Sequence, residues 1–193
     1  NNLYVADADN CVIWKITPAG VTTKFAGTTR GFANGKALTA KFDGPFGLAF
    51  DSKDNLFVAD FNNRVIRKID PSGNVTTFAG QAGVPGFQDG AGTAASFLAP
   101  NPLTIDELDN IYLVDNNITV RKITPAGVVT SIAFGSFAGH AADAPFGVVF
   151  GLTTDNKGNI FLADQSENSI IKITQGLSIS VIAGTGIAAF KDG

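Results

Sequence analysis

Four aspartates, Asp7, Asp60, Asp115 and Asp164, recur in this 193-residue chain at intervals of roughly fifty residues. Each is followed by a polar turn: Asp9 and Asn10, then Asn62 and Asn63, then Asn116 and Asn117, then Gln165, Glu167 and Asn168. Carboxylates and amides gathered around a common axis are hard oxygen ligands, and Ca²⁺ takes about six to eight of them. The competing role is local, because an aspartate at a strand end can accept backbone N–H groups of its own turn. Identical repetition in every unit favours the turn-capping role and leaves calcium as the weaker candidate. Lys15, Lys68, Lys122 and Lys172 recur too. A ring of cations would suit an anionic ligand, but a stem lying over apolar surface is the commoner use of such a lysine.

Other chemistry is scarce. His140 and Cys11 are each the single residue of their type. A zinc site would have to be completed by carboxylates, and neither a disulfide nor a Ser-His-Asp relay can be argued from them. The stretch Gly184-Thr185-Gly186 lacks the Lys-Ser/Thr and helix of a phosphate cradle. The net charge of −3 gives no basic face for nucleic acid. Arg64, Arg67 and Lys68 form a local basic cluster that reads as ordinary turn and strand positions. No apolar run reaches the ~20 residues of a membrane span.

The elements that must carry these residues are short strands. In the second unit, Leu48–Asp51 reads as one strand, Asn55–Asp60 as an almost continuous apolar one, Arg64–Ile69 as a third and Asn74–Phe78 as a β-branched outer one. Asp51–Asp54, Phe61–Asn63 and Asp70–Gly73 are the turns between them. Four antiparallel strands per period of this size make an all-β chain of propeller blades. No segment shows the 3.6-residue periodicity of a helical solenoid.

The run Pro45-x-Gly47-Leu48-Ala49, Asn55-Leu56-Phe57-Val58-Ala59-Asp60, Asn63-Arg64-Val65-Ile66-Arg67-Lys68-Ile69 and Gly73 resembles the NHL repeat family of β-propellers, and the resemblance covers essentially the whole chain. It implies four-stranded antiparallel blades, about four of them represented here, as part of a ring of usually six. Residues 1–27 read as a partial blade of three strands, 28–80 and 81–135 as blades, and 136–193 as a blade with the start of the next connector. Six such blades need about 300 residues, so further blades, or further chains, are expected to complete the ring. Open blade edges would then favour self-association. The third unit departs from the pattern at Pro100-Asn101-Pro102-Leu103, and the fourth lacks the proline.

Connectors between blades carry Gly31-Phe32-Ala33-Asn34-Gly35 and Gly86-Phe87-Gln88-Asp89-Gly90, with strong turn formers and a central phenylalanine. The connector from Phe134 to Asp143 breaks this pattern and holds His140. Loops that vary on a repetitive scaffold are where specificity tends to reside. The expected ligand face therefore comprises Phe32, Asn34, Asn62, Asn63, Arg64, Phe87, Asp89, Asn116, Asn117, His140, Gln165, Glu167 and Asn168. The expected function is a non-catalytic binding or scaffolding module for a protein, peptide or glycan partner, with no cofactor. The resemblance also reaches propeller lactonases and lyases, so a calcium-dependent enzyme completed by further blades is the alternative, and a structural subunit of an extracellular assembly a second. It implies a secreted or cell-surface bacterial setting.

Overall fold

The computed structural model describes residues 1–135, 146–184 and 186, and over them the chain is four antiparallel sheets. The first sheet is β1 (Leu3–Asp7), β2 (Val12–Ile16) and β3 (Thr22–Ala26). The second adds β4 (Gly35–Lys36) outside β5 (Pro45–Phe50), β6 (Leu56–Asp60), β7 (Val65–Ile69) and β8 (Asn74–Ala79), in the order β4-β8-β7-β6-β5. The third repeats this with β9 (Gly90–Ala91), β10 (Pro100–Ile105), β11 (Ile111–Asp115), β12 (Thr119–Ile123) and β13 (Val128–Phe134), in the order β10-β11-β12-β13-β9. The fourth is β14 (Val149–Thr154), β15 (Ile160–Asp164), β16 (Ser169–Ile173) and β17 (Ile179–Ala183). Together they form the blades of a β-propeller. The expected four-strand blade gains a two-residue outer strand in the middle two sheets, drawn from the connector; Lys36 Nζ reaches Asn74 Oδ1 at 2.7 Å there. The inner strand starts earlier than its apolar run suggests, at Pro45. An inner strand has one unpaired edge, and proline, which cannot donate, is tolerated there.

The innermost strands β5, β10 and β14 stand side by side, and β1 takes the next place beside β5. The described residues show no comparable contact between β14 and β1. Every residue of β6 and β11 is buried, the signature of a strand covered on both faces. Leu56 and Val58 turn toward Ile13 and Ala26 of the first sheet. Phe57, Ala59 and Ile66 turn toward Leu103, Leu113 and Ile123 of the third. Tyr112, Val114 and Val120 pack on Leu162 and Ile171 of the fourth. Each buried Leu, Ile, Val or Phe among them contributes about 1.5–3 kcal/mol by leaving water, so the propeller is held by the seams between sheets. Among the described residues, no helix is long and apolar enough to cross a membrane.

One end of the second, third and fourth sheets is closed by an aspartate clasp. Asp51 Oδ1 accepts the Lys53 and Asn55 amides while Oδ2 accepts Asn55 Nδ2, and Asp106–Asn110 and Asp155–Asn159 repeat the arrangement. Asp70 and Asn74 make the same clasp between β7 and β8. The asparagine side chains hold the Asp70 and Asp155 carboxyls below their ordinary value of 3.8. A carboxyl depressed in the folded state contributes stability above its unfolded value, and that contribution is lost as pH falls through the folded one. The urea midpoint is therefore expected to drop between pH 5 and pH 3, and to drop less in an Asp155→Asn variant. Equal slopes in the two proteins would remove the clasp from the acid response.

Candidate functional site

The opposite end of the sheets, where the second strands finish and the connectors cross, carries the residues singled out from sequence. Two of the four aspartates there are buried ion-pair centres. Asp60 Oδ2 accepts Arg67 Nη1 at 2.8 Å, and both side chains are 0% exposed. Strand register explains the meeting: Asp60 lies opposite Val65, so Arg67, two residues on, is its diagonal neighbour on the same face. Asp60 also accepts the Asp43 amide and Asn63 Nδ2. Arg67 donates further to the Lys41 and Ala33 carbonyls and to Asn34 Oδ1. Its guanidinium lies between the rings of Phe32 and Phe42, at 4.7 and 5.0 Å. Burial pushes the Asp60 carboxyl upward against these donors, and the same burial pulls Arg67 down.

The third sheet repeats the knot more loosely. Arg121 reaches Asp115 at 3.2 Å and Asp89 at 2.9 Å, lies over Phe97, and donates to the Gln88 and Ser96 carbonyls. Asp115 accepts the Leu98 and Ala99 amides, and burial raises its carboxyl. Asp89 also takes the Ser131 amide and hydroxyl. In the first sheet Trp14 occupies the arginine position and donates its indole N–H to Asp7 at 3.1 Å. In the fourth it is Ile171, buried in the seam, and Asp164 instead accepts the Gly147 and Glu167 amides.

Asp7 and Asp164 thus receive an amide from their own turns, at Asn10 and Glu167; Asp60, Asp115 and Asp164 anchor the incoming segment, and only Asp60 and Asp115 also hold the third-strand arginine. Their oxygens are occupied by N–H donors, which suits them poorly to calcium. Among the described residues no three carboxylate, histidine or cysteine groups converge as a metal site. Phe32, Asn34, Asn63 and Asp89 are likewise committed to the knots. Asn62 Nδ2 donates to Asp43 Oδ1. Arg64, Asn116, Asn117 and Asn168 sit in turns with positive φ. Phe87, Gln165 and Glu167 are exposed at the surface. His140 lies outside the described residues. Arg67 cannot share a basic surface with Arg64 and Lys68, because it is fully buried. Lys68, Lys122 and Lys172 lie over Phe57, Tyr112 and Phe161 of their own sheets, at 6.0, 5.6 and 5.9 Å.

Sequence reasoning missed a second set. In each inner strand the residue opposite the aspartate is Pro45, Pro100 or Val149, and the next one sits in a bulge. Those bulge residues are Phe46, Asn101 and Phe150. Both phenylalanines are 52% exposed, while Asn101 is 6% exposed. Their only warning in the sequence was the departure at Pro100-Asn101-Pro102.

A search for relatives supplies the deciding observation. The human NHL repeat-containing protein 2 is 30% identical to this chain over 127 residues, which are 60% of this chain and 18% of the human protein. This chain is an NHL-type β-propeller. It spans about a fifth of the length of that curated relative, and no protein-family model matches it. Solved structures agree on the fold. A nutrient-binding protein from Bacteroides ovatus superposes with a TM-score of 0.65 at 20% identity, over 94% of this chain and 46% of that one. An inactive variant of virginiamycin B lyase from Staphylococcus aureus gives 0.63 at 16% identity, over 94% and 52%. These structures are similar in architecture, and one binds while the other belongs to an enzyme, so the NHL-type scaffold by itself does not choose between binding and catalysis.

Proposed function

We propose that this NHL-type propeller is a non-catalytic binding module whose ligand lies on the connector face. The observation that carries the reading is the contrast on that face. The strand-end charges are paired internally, in the Asp60–Arg67 and Asp115–Arg121 knots, while Phe32 and Phe87 stay exposed beside neutral amides and the exposed Glu167. Exposed aromatic groups with a few polar neighbours are what a partner or ligand surface offers. A protein, peptide or glycan partner fits this chemistry better than an ionic substrate. An extracellular location belongs to the same reading.

The test is a binding screen of the purified chain against protein, peptide and oligosaccharide panels, followed by two variants. Phe87→Ala with Gln165→Ala alters the connector face, and Lys53→Ala with Lys157→Ala alters the clasp end. Binding should weaken about tenfold or more in the first and stay unchanged in the second. Loss in the second alone, or turnover of a lactone or peptide amide at an ordinary enzymatic rate, would overturn the reading.

A further inference from the structure

Asn34 and Asp89 hold the same place in two successive connectors, and a third-strand arginine meets each. Arg67 Nη2 donates to the Ala33 carbonyl and, at 2.8 Å, to Asn34 Oδ1. Arg121 Nη2 donates to the Gln88 carbonyl and, at 2.9 Å, to Asp89 Oδ1. The two knots differ in charge. Among the described residues Arg121 has two carboxylate partners, Asp115 and Asp89, whereas the fully buried Arg67 has Asp60 alone. Asp89 also takes the Ser131 amide and hydroxyl, and Thr77 stands opposite Arg67 as Ser131 stands opposite Arg121. An amide at position 34 accepts through one atom only, because its other terminus is an NH2 donor; a carboxylate accepts through both.

Residue 34 can become that carboxylate without an enzyme. Asn34-Gly35 is the single Asn-Gly pair in the sequence. Gly35 has no side chain to shield its nitrogen, and both residues are exposed. The bond from Arg67 draws electron density out of the Asn34 side-chain carbonyl and leaves its carbon more open to attack. Gly35 belongs to β4, which is two exposed residues at the outer edge of its sheet. So short an edge ladder opens locally at little cost, and opening frees the Gly35 nitrogen.

We propose that Asn34 is a self-modifying site, at which the Gly35 nitrogen closes onto the Asn34 side chain and hydrolysis leaves an aspartate. The bond from that nitrogen to Cγ forms as its proton is lost and Nδ2 departs as ammonia. Water then adds to Cγ of the cyclic imide, the new N–Cγ bond breaks, and the nitrogen takes a proton back. Amide and water become carboxylate and ammonium, with no oxidant and no cofactor. Opening the ring at the main-chain carbonyl instead would insert a methylene into the backbone between Ala33 and Gly35. Ala33 is held by Lys41 and Arg67, and Gly35 pairs with Val75, so the normal linkage is favoured. The aspartate gives Arg67 a second acid partner and offers Thr77 an acceptor, and a charge-assisted bond is roughly twice as strong as a neutral one. It also adds a negative charge beside the exposed Phe32, so the charge of the connector face shifts as the molecule ages. The site stands independently of the binding role proposed above.

Peptide mass mapping of the folded chain, held in warm, mildly alkaline water enriched in heavy oxygen, tests the proposal. Asn34 should convert to an acid that carries the heavy oxygen, while the other asparagines stay amides. An isoaspartyl-specific methyltransferase should label only a minor share of the product. An Asn34→Asp variant should melt about 2–4 °C above the unconverted chain, and adding Thr77→Val should remove part of that gain. Asn34→Gln, whose side chain is one methylene longer, should keep its amide. An Asn34 that stays intact in the folded chain overturns the proposal, because the knot then shields the site. A mainly isoaspartyl product overturns it too, as does an Asn34→Asp variant that melts at or below the unconverted chain.

Discussion

Replacing Arg67 with alanine is expected to lower the unfolding free energy by about 3–5 kcal/mol, the usual cost of stripping one partner from a fully buried ion pair. The geometry explains why the loss should reach that range. Asp60 would keep its bonds from the Asp43 amide and Asn63, but its charge would stay buried without the cation. Asn34 Oδ1 would lose its donor, and the space between the Phe32 and Phe42 rings would empty. Lys68, the next residue, offers a matched control. Its head lies over Phe57 at 6.0 Å without an acid partner, so Lys68→Ala should change stability by about 0.5 kcal/mol or less. Urea denaturation of both variants gives the comparison. Arg121→Ala should fall between them, since its bond to Asp115 is longer at 3.2 Å and its second acid, Asp89, is partly open to water. A double variant, Asp60→Leu with Arg67→Met, should lose less than the sum of the single losses, because each single change strands the other group. If the single losses instead add to within about 0.5 kcal/mol, the two residues are not coupled and the knot is not a unit.

The knots also show how repetition both reveals and conceals. The strands, their order in the blade and the turns between them were legible because apolar runs, β-branched residues and turn formers recur in phase. The Asp60–Arg67 contact was in principle legible as well, since antiparallel register puts a residue seven positions on at the diagonal. It was hidden because the position varies through Trp14, Arg67, Arg121 and Ile171, and a reading that looks for sameness passes over it. The invariant lysine next to it drew attention instead, although it only covers its own aromatic ring. Asn101 was hidden for a different reason. Its departure from the pattern was visible, but the burial of an amide oxygen without a partner depends on the bulge and on the adjacent sheet. The connector around His140 attracted the functional reading because it was short and unlike the others; its residues 136–145 lie outside the described ones.

The second large effect is expected at Gly80. Gly80→Ala should cost about 2–5 kcal/mol, from about 1–2 for holding an L-residue in left-handed backbone and about 1–3 for forcing a methyl into packed surroundings. Gly80 has φ +90°, and a Cβ there would lie 2.8 Å from both the Arg64 carbonyl oxygen and a ring carbon of Phe97. The carbonyl is backbone and cannot rotate aside, and Phe97 is fully buried beneath Arg121. Gly83 separates the two contributions. It has φ +75° with nothing within 4 Å of its Cβ, so Gly83→Ala should show the backbone cost alone, about 1–2 kcal/mol. Unfolding free energies of the two variants from urea denaturation that differ by less than about 0.5 kcal/mol would remove the packing contribution. The same geometry recurs at Gly27 and Gly184, with φ +91° and +86° and a would-be Cβ against the Cys11 and Asn168 carbonyls. Each of these glycines ends an outer strand and lets the chain turn tightly over the start of its own third strand. At Gly27 and Gly80 the phenylalanine of the next connector, Phe42 or Phe97, closes over that turn. The step from one sheet to the next is set at these turns.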